Sequence, residues 1–217
     1  MKVDNSKRFQ FIERSERAKY IGLVYKDFLK GRVADIGSSG SDLRKFVESE
    51  YIGIDILDAP EIDITVDLEK EKIPLEDSSV DCVVCTDVLE HVDNFHDVFE
   101  ELIRISRNYI LISLPNCFNY EIIFKLWFGK NIKFYGLPDN RPEDRHKWFL
   151  SHKETLSFFE NKSKLYNYSI LDTYGHPLKY RGFKGNIILA LVWLLSFGRY
   201  KELSVMSSWV LIKVNKT

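Results

Sequence analysis

Two nearly continuous apolar segments, residues 80–86 and 109–114, most constrain what this chain can fold into. Runs of this kind are expected where helices cover both faces of a parallel β-sheet. Residues 94–106 lie between them, with Asn94 as a candidate N-cap and one helical stripe of apolar residues: Phe95, Val98, Phe99, Leu102 and Ile103. The order strand, helix, strand predicts a doubly wound α/β fold.

The remaining apolar patterns extend this alternation over most of the chain. Three short segments are predicted strands: residues 32–36, 51–56 and 62–66. Helical spacing is found in four further segments: residues 6–30, 42–50, 118–128 and 152–160. Residues 165–174 and 204–214 predict an antiparallel pair that closes an otherwise parallel sheet, and residues 129–148 form an irregular stretch.

The length of 217 residues and a hydrophobic content of 45% suit one domain that spans residues 1–217. Within it we expect a helical cap over 1–30, a substrate-covering insertion over 117–164 and an apolar insertion over 175–203. The formal charge of −1 argues against a nucleic-acid partner, because such proteins usually carry a basic excess that neutralises phosphates.

The three cysteines predict buried thiols in a reducing compartment. Cys82 and Cys85 have the C-x-x-C spacing of some redox and zinc sites, but residues three apart on a strand point to opposite faces. The spacing of histidines and cysteines does not predict a metal site. The N-terminal residues are charged and lead into no apolar core, so we expect no secretory signal and a cytoplasmic protein.

The loop Asp35-Ile-Gly-Ser-Ser-Gly-Ser41 joins the first predicted strand to the segment after it. Ligands of open α/β sheets bind at the carboxyl ends of strands, where small residues let the backbone approach closely. Asp55 ends the next strand, 18 residues after Gly37, and a carboxylate there can accept hydrogen bonds from a ribose. These features predict an adenosyl ligand, and by themselves they also fit nicotinamide cofactors.

Several sequence blocks, in a fixed order, are similar to those of one family. The blocks Val33-Ala-Asp-Ile-Gly-Ser-Ser-Gly-Ser-Asp-Leu43 and Tyr51-Ile-Gly-Ile-Asp55 resemble class I S-adenosylmethionine-dependent methyltransferases. Residues 73–92, which include Thr86-Asp-Val-Leu-Glu-His91, resemble the type 11 subgroup, and two later blocks at 101–105 and 110–116 continue the pattern. The resemblance covers residues 30–116, about 40% of the chain. It implies a Rossmann-like methyltransferase fold: a mostly parallel, seven-stranded sheet with helices on both faces and an antiparallel final strand.

The resemblance also implies S-adenosylmethionine as the cofactor and S-adenosylhomocysteine as its product. By this resemblance, Asp35, Gly37, Ser38 and Ser39 contact the methionine part of the cofactor. Asp55 and Ile56 hold the ribose and flank the adenine, and Asp67 and Leu68 lie near the adenine. Thr86 and Asp87 lie beside the sulfonium. The loop departs from the family pattern, because Ser39 and Ser41 replace the usual second and third glycines.

Methyl transfer is an in-line displacement at a carbon that positive sulfur already activates, so positioning and desolvation can supply most of the catalysis. An oxygen or nitrogen acceptor can also need to lose a proton, and His91 and His146 are the candidate bases. His146 and Trp148 either line the substrate pocket or pack the insertion onto the core. The other histidines are expected at the surface or as caps: His96, His152 and His176.

Residues 186–197 form the most unusual apolar stretch, which is too short for a bilayer span of about 20 residues. A buried helix or a homodimer contact is the simpler interpretation. Basic residues flank the stretch, so contact with a membrane surface or a lipid-linked substrate is the alternative: Lys179, Arg181, Lys184, Arg199 and Lys201.

The sequence therefore predicts a methyltransferase that acts on an oxygen or nitrogen atom of a small molecule, or of a glycan or lipid-linked precursor. A nicotinamide-dependent oxidoreductase or epimerase is the alternative on the same fold, although the chain has no obvious Tyr-x-x-x-Lys pair in the right context. A non-catalytic adenosyl-binding protein is the alternative from another class.

Overall fold

The computed structural model describes residues 1–11, 13–40, 42–137, 139–140, 142, 144–178, 182–196 and 200–215. Seven strands form one sheet: β1 (Val33–Ile36), β2 (Tyr51–Asp55), β3 (Ile64–Thr65), β4 (Val80–Thr86), β5 (Ser106–Pro115), β6 (Tyr168–Pro177) and β7 (Val205–Val214). Their order is β3-β2-β1-β4-β5-β7-β6. β1 to β5 pair in parallel, and β7 lies antiparallel between β5 and β6. The predicted, mostly parallel sheet with an antiparallel final strand is confirmed.

The described part of the chain contains six α-helices: α1 (Arg14–Val24), α2 (Phe95–Ile105), α3 (Tyr120–Trp127), α4 (His152–Tyr166), α5 (Gly182–Leu195) and α6 (Tyr200–Ser204). α2 and α4 pack on one face of the sheet, where their apolar side chains join a large buried cluster. α1 packs on the other face with a second cluster. The sheet is therefore covered on both sides, which explains why its central strands are apolar throughout.

The predicted helices differ from the observed ones mainly at their ends. The helix predicted over 6–30 is an α-helix only in α1, because a capping box between Glu13 and Glu16 starts it. Short 3-10 helices lie on either side of it, at Asn5–Lys7 and Lys26–Phe28. Residues 42–50 form a short 3-10 helix over Asp42–Phe46 instead of an α-helix. α4 runs longer than predicted, to Tyr166, and ends at Asn167 with a left-handed φ of 49°.

The strand position of Cys82 and Cys85 decides their chemistry. Cys82 belongs to the buried cluster under α1, whereas Cys85 belongs to the cluster under α2 and α4. The predicted divergence of the two thiols is confirmed. Burial raises the pKa of both thiols, so they remain protonated and unreactive.

The N-terminal cap is attached to the sheet by aromatic rings and one ion pair. Trp209 of β7 is 1% exposed and stacks on Tyr25 at 6.1 Å between ring centroids. Arg8 pairs with Asp172 of β6 at 2.6 Å, and its guanidinium lies 3.7 Å from the ring centroid of Tyr174. These contacts fix α1 above the carboxyl ends of the central strands.

The prediction that His176 is a surface or capping residue is wrong. Its side chain is fully buried, 4.1 Å from the ring centroid of Phe11, and its Nε2 accepts a hydrogen bond from the Phe11 backbone N–H at 3.4 Å. Desolvation lowers the pKa of His176 to about 4. The Asp87 carboxylate raises this pKa by a smaller amount than desolvation lowers it, whereas the Arg8 cation also lowers it. The imidazole is therefore neutral in the folded protein at pH 7.

We expect His176 to make the protein sensitive to acid. Its folded pKa lies below the unfolded value, so the unfolded state binds more protons and stability falls as the pH drops from about 6.5 to about 4. This group should remove about 2–3 kcal/mol over that window. Urea unfolding at several pH values should show a flatter profile for His176→Gln than for the exposed control His96→Gln. Parallel profiles for the two variants would contradict the assignment.

The apolar insertion is not a core helix. The described side chains of α5 are mostly exposed, from 46% for Ile187 to 66% for Trp193 and Leu194, while Val192 is buried. The predicted burial of this helix is therefore wrong for these side chains. No helix in the described residues is both long and apolar enough to cross a membrane.

Candidate functional site

The loop after β1 lies at the carboxyl edge of the sheet and has a backbone that suits small residues. Gly37 and Gly40 have φ values of +70° and +83°, and Ser39 has a φ of +22°. The N–H groups of Gly37 and Ser38 donate to the Ile54 carbonyl at 2.8 and 3.2 Å. A Cβ on Gly37 would lie 2.3 Å from Cγ2 of Val88, so this position admits only glycine. Ser41 lies outside the described residues.

Two buried carboxylates support this loop. Asp35, in β1, accepts a hydrogen bond from the Tyr51 hydroxyl at 2.7 Å. Asp55, at the end of β2, accepts from the backbone N–H of Ser39 at 2.8 Å and of Leu57 at 3.1 Å. Ile56 beside it is 62% exposed, which leaves an apolar surface next to a carboxylate at the sheet edge.

The end of β4 contributes Thr86 and Asp87. Thr86 is buried, and Asp87 adopts a left-handed φ of +54°, which aspartate tolerates better than most residues. The Asp87 carboxylate accepts a hydrogen bond from the Ser113 hydroxyl at 2.7 Å and forms an ion pair with Arg17 of α1. The N-terminal cap is thereby tied to the centre of the sheet edge.

Two openings meet at Arg17. The first, here called the edge cavity, has a volume of about 30 Å³ and is lined by the loop and α1, including Asp35, Gly37, Ser38, Ser39 and Thr86. The second, here called the histidine cleft, has a volume of about 440 Å³ and is lined by aromatic and charged residues that include Phe11, Asp87, Glu90, His91, His146 and Trp209. Arg17 lines both openings.

The histidine cleft brings together residues that are distant in sequence. The rings of His91 and His146 lie 4.6 Å apart and perpendicular, and Glu90 is 1% exposed beneath them. Burial raises the pKa of Glu90 well above its usual value, with the neighbouring Asp87 carboxylate as a second cause. Burial, and then the neighbouring His91, lower the pKa of His146 to about 4.

The insertion that carries His146 is anchored by the next residues. The Lys147 backbone N–H donates to the Glu90 carbonyl at 2.7 Å, and the Trp148 indole donates to the Val92 carbonyl at 2.7 Å. Trp148 also packs against Phe95 of α2. Trp148 therefore attaches the insertion to the core, while His146 faces the cleft.

Part of the chain matches a known protein family. Residues 35–109, about a third of its length, match the family described as "Methyltransferase domain". This segment contains the loop, Asp55, Thr86 and His91 of the edge just described. The chain therefore contains a segment similar to the domains of S-adenosylmethionine-dependent methyltransferases. Its sequence matches no curated protein.

Solved structures share the fold of this chain at low sequence identity. A SAM-dependent methyltransferase from Archaeoglobus fulgidus is 16% identical, with a TM-score of 0.59 over 93% of this chain and 94% of that one. The small RNA methyltransferase HEN1 is 15% identical, with a TM-score of 0.59 over 97% of this chain and 26% of that one. The [4+2]-cyclase SpnF is 10% identical, with a TM-score of 0.57 over 100% of this chain and 87% of that one.

The edge cavity fits the cofactor in its chemistry. The Ser38 hydroxyl is buried and has no hydrogen-bond partner among the described residues, so it is available to a polar ligand group. The glycine-containing loop offers close backbone approach, and Asp55 and Ile56 place a carboxylate beside an exposed apolar side chain. The cavity is small, about 30 Å³, and Arg17 and α1 form part of its wall.

The predicted adenine-side residues Asp67 and Leu68 have other contacts. The Asp67 carboxylate accepts hydrogen bonds from the Glu69 backbone N–H at 3.0 Å and from the Lys70 ammonium at 2.6 Å. These hydrogen bonds lower the pKa of Asp67. Leu68 is partly buried against the core under α2. Neither residue lines the edge cavity, although both follow β3 at the same edge of the sheet.

Sequence reasoning missed three residues of the site. Arg17 connects the edge cavity with the histidine cleft, Ser113 orients Asp87, and Glu90 lies buried below the histidines. Arg17 is one of several charged residues in a charged helix and carries no local signal. Glu90 lies in the Thr86–His91 block, but the sequence pattern gave no sign that its side chain is buried.

Proposed function

We propose that this methyltransferase transfers a methyl group from S-adenosylmethionine to an oxygen or nitrogen atom of a small polar acceptor in the histidine cleft. The observation that carries the proposal is the shared wall of the two openings at Arg17. Thr86 lines one opening and Asp87 the other, so the boundary between them falls at the end of β4. A methyl group at that boundary is within reach of an acceptor in the cleft.

The proposed cofactor contacts follow the edge from β1 to β4. Asp35, Gly37, Ser38 and Ser39 hold the methionine part, and Asp55 and Ile56 hold the ribose and flank the adenine. Thr86 and Asp87 lie beside the sulfonium. Asp67 and Leu68 take part only at the far end of the adenine, since the Asp67 carboxylate already binds Lys70.

The cleft has the size and chemistry of a small-molecule site. Its volume of about 440 Å³ falls in the range of about 300–1,000 Å³ typical of such pockets. Phe11, Phe134 and Trp209 offer apolar contact, and Asp87 and Glu90 offer polar contact. We assign His91 and His146 to the acceptor, where they bind and orient its nucleophilic group for in-line attack on the methyl carbon.

Ligand-linked unfolding tests the cofactor half of the proposal. S-adenosylhomocysteine at a hundredfold excess over its dissociation constant should stabilise the protein by about 2.7 kcal/mol, and NAD should have no effect. Methyl transfer from radiolabelled S-adenosylmethionine to phenols, sugars and amines tests the acceptor half. Stabilisation by NAD alone would instead support the oxidoreductase alternative.

A second possible outcome concerns the reaction. SpnF shares the fold at a TM-score of 0.57 and is described as a [4+2]-cyclase, so this fold does not by itself fix methyl transfer. Stabilisation by S-adenosylhomocysteine without transfer to any acceptor class would contradict the proposed reaction and support the non-catalytic alternative.

The surface around the cleft favours an acceptor presented by a lipid bilayer. α3 follows Pro115 and α6 precedes Met206, and both of these residues line the cleft. α3 and the residue after it expose a row of large apolar side chains, with exposed fractions of 41–76%: Phe124, Leu126, Trp127 and Phe128. α5, before α6, exposes Leu191, Trp193, Leu194 and Leu195.

The charge of this surface suits anionic lipid. Residues 118–137 contain Lys125, Lys130 and Lys133 but only one acid, Glu121. Aromatic and apolar side chains beside lysines are typical of helices that lie in a membrane interface. We therefore propose that a lipid-linked precursor at an anionic membrane surface is the preferred form of acceptor.

Vesicle co-sedimentation tests the membrane contact. Wild-type protein should bind vesicles that contain phosphatidylglycerol and bind phosphatidylcholine vesicles weakly. The double variant Trp127→Ser/Trp193→Ser should lose most of this binding. Leu165→Ser is the matched control, because Leu165 is 68% exposed at the opposite edge of the sheet, just before β6. Equal binding of the two variants, or a stable dimer with no vesicle binding, would refute the contact.

A further inference from the structure

We propose that Glu90, His91 and His146 bind a divalent transition-metal ion in the histidine cleft. One ligand atom from each residue can be chosen so that all three lie within 4.8 Å of one another. His91 and Glu90 come from the 3-10 helix after β4, and His146 comes from the insertion 55 residues later. The hydrogen bond from the Lys147 backbone N–H to the Glu90 carbonyl holds the two segments together.

Glu90 has the environment expected of a metal ligand. Its side chain is 1% exposed, and its Oε2 has no hydrogen-bond partner among the described residues. A buried carboxyl oxygen with no donor is costly, and native structures seldom leave one without a reason. A bound cation would satisfy this oxygen and compensate the buried carboxylate.

The hydrogen bonds of Tyr135 fix the orientation of His146. The Tyr135 hydroxyl donates its single proton to the Trp148 carbonyl at 2.7 Å. His146 Nδ1 lies 3.1 Å from the same hydroxyl oxygen, so Nδ1 carries a proton and donates it. The lone pair of the neutral ring is therefore on Nε2. Histidine ligands of metals usually have this arrangement, with the second nitrogen donating to an outer partner.

His91 has a similar outer partner in Asp144. His91 Nδ1 lies 2.5 Å from Asp144 Oδ1, which is within ion-pair distance although the angle does not satisfy hydrogen-bond geometry. Its Nε2 lies 3.8 Å from Glu90 Oε1, so this nitrogen faces the buried carboxylate. A carboxylate beside the outer nitrogen of a histidine ligand is a common arrangement in metal sites.

The donor set indicates the class of ion. Two imidazole nitrogens and one carboxylate oxygen suit Zn²⁺, Co²⁺, Fe²⁺ or Mn²⁺ better than Mg²⁺ or Ca²⁺, which prefer oxygen ligands. Ligand atoms about 2.1 Å from one ion lie about 3–3.5 Å apart, so binding would draw the three side chains closer by about an ångström. Three protein ligands leave positions open toward the cleft.

The open coordination positions face the cleft, so the ion would have a role in methyl transfer; this role rests on the proposed function. An acceptor oxygen on the ion would be held beside the methyl group and would lose its proton more readily. His91 and His146 would then act on the acceptor through the ion and not as free bases.

The metal site is tested on protein of residues 1–217 that has been treated with EDTA and then dialysed. Calorimetric titration with Zn²⁺, Mn²⁺ and Mg²⁺, and visible absorption with Co²⁺, should show one transition-metal ion per chain and weak Mg²⁺ binding. Glu90→Gln and His146→Gln should weaken binding at least ~100-fold, and the outer-partner variant Tyr135→Phe ~10–100-fold. His96→Gln, at an exposed position away from the cleft, is the control, and circular dichroism checks folding.

The outcomes separate this inference from the proposed function. Wild-type protein that binds no transition metal, or binding unchanged in both ligand variants, would overturn the metal site. The titration needs neither S-adenosylmethionine nor an acceptor. Intact metal binding without methyl transfer to any acceptor would therefore refute the proposed function alone.

Discussion

Gly37→Ala is expected to lower the free energy of unfolding by about 2–4 kcal/mol and to abolish binding of S-adenosylhomocysteine. The new Cβ would lie 2.3 Å from Cγ2 of Val88, and the backbone φ of +70° already disfavours any L side chain. Where the loop relieves the clash by moving away from Val88, it displaces the Ser39 backbone N–H from Asp55. Urea unfolding and calorimetric titration measure the two losses.

Gly40→Ala separates the clash from the backbone strain. Gly40 has a φ of +83°, but among the described residues no atom beyond its chain neighbours lies within 4 Å of the position of an added Cβ. It should lose only the strain energy, about 1 kcal/mol. The double variant Gly37→Ala/Val88→Ala lacks the Cγ2 methyl group that the added Cβ would contact. It should therefore recover part of the stability lost in Gly37→Ala. Equal losses of unfolding free energy in Gly37→Ala and Gly40→Ala would show that contact with Val88 does not restrict residue 37.

Trp209→Ala is expected to cost about 3–5 kcal/mol and to weaken the cofactor site as well. Trp209 is 1% exposed, contacts Tyr20 at 5.2 Å and Tyr25 at 6.1 Å between ring centroids, and donates from Nε1 to the Ser207 hydroxyl. The two tyrosines belong to the N-terminal cap, whose α1 carries Arg17. Loss of the indole should therefore release the cap and open both the edge cavity and the histidine cleft.

Trp209→Phe keeps an aromatic ring at the same place and should retain most of the stability. Hydrogen exchange over residues 1–30, together with titration of S-adenosylhomocysteine, measures whether the cap is released. The predicted release of the cap is wrong if Trp209→Ala loses stability while residues 1–30 stay protected from hydrogen exchange and the affinity for S-adenosylhomocysteine is unchanged.

Local patterns in the sequence predicted the parts of the molecule that depend on neighbours along the chain. The continuous apolar runs at 80–86 and 109–114 became β4 and β5, and Cys82 and Cys85 point to opposite faces as period-two geometry requires. Helix ends were less accurate, because they depend on caps such as that of Glu13 and Glu16 and on docking of Phe11 into the core. The burial of His176 was missed for the same reason, since its partners Phe11 and Tyr20 are more than 150 residues away.

The sequence by itself determined the α/β fold, which follows from the strand and helix periods that local order fixes. The class of enzyme was predicted from sequence blocks that resemble one family, and the cofactor contacts from Asp35 to Asp87 stay a prediction. Only the tertiary structure decided what surrounds Glu90, His91 and His146, where Arg17 lies and which apolar helices remain exposed. These properties depend on contacts between segments far apart in the chain, and spacing alone carries no information about such contacts.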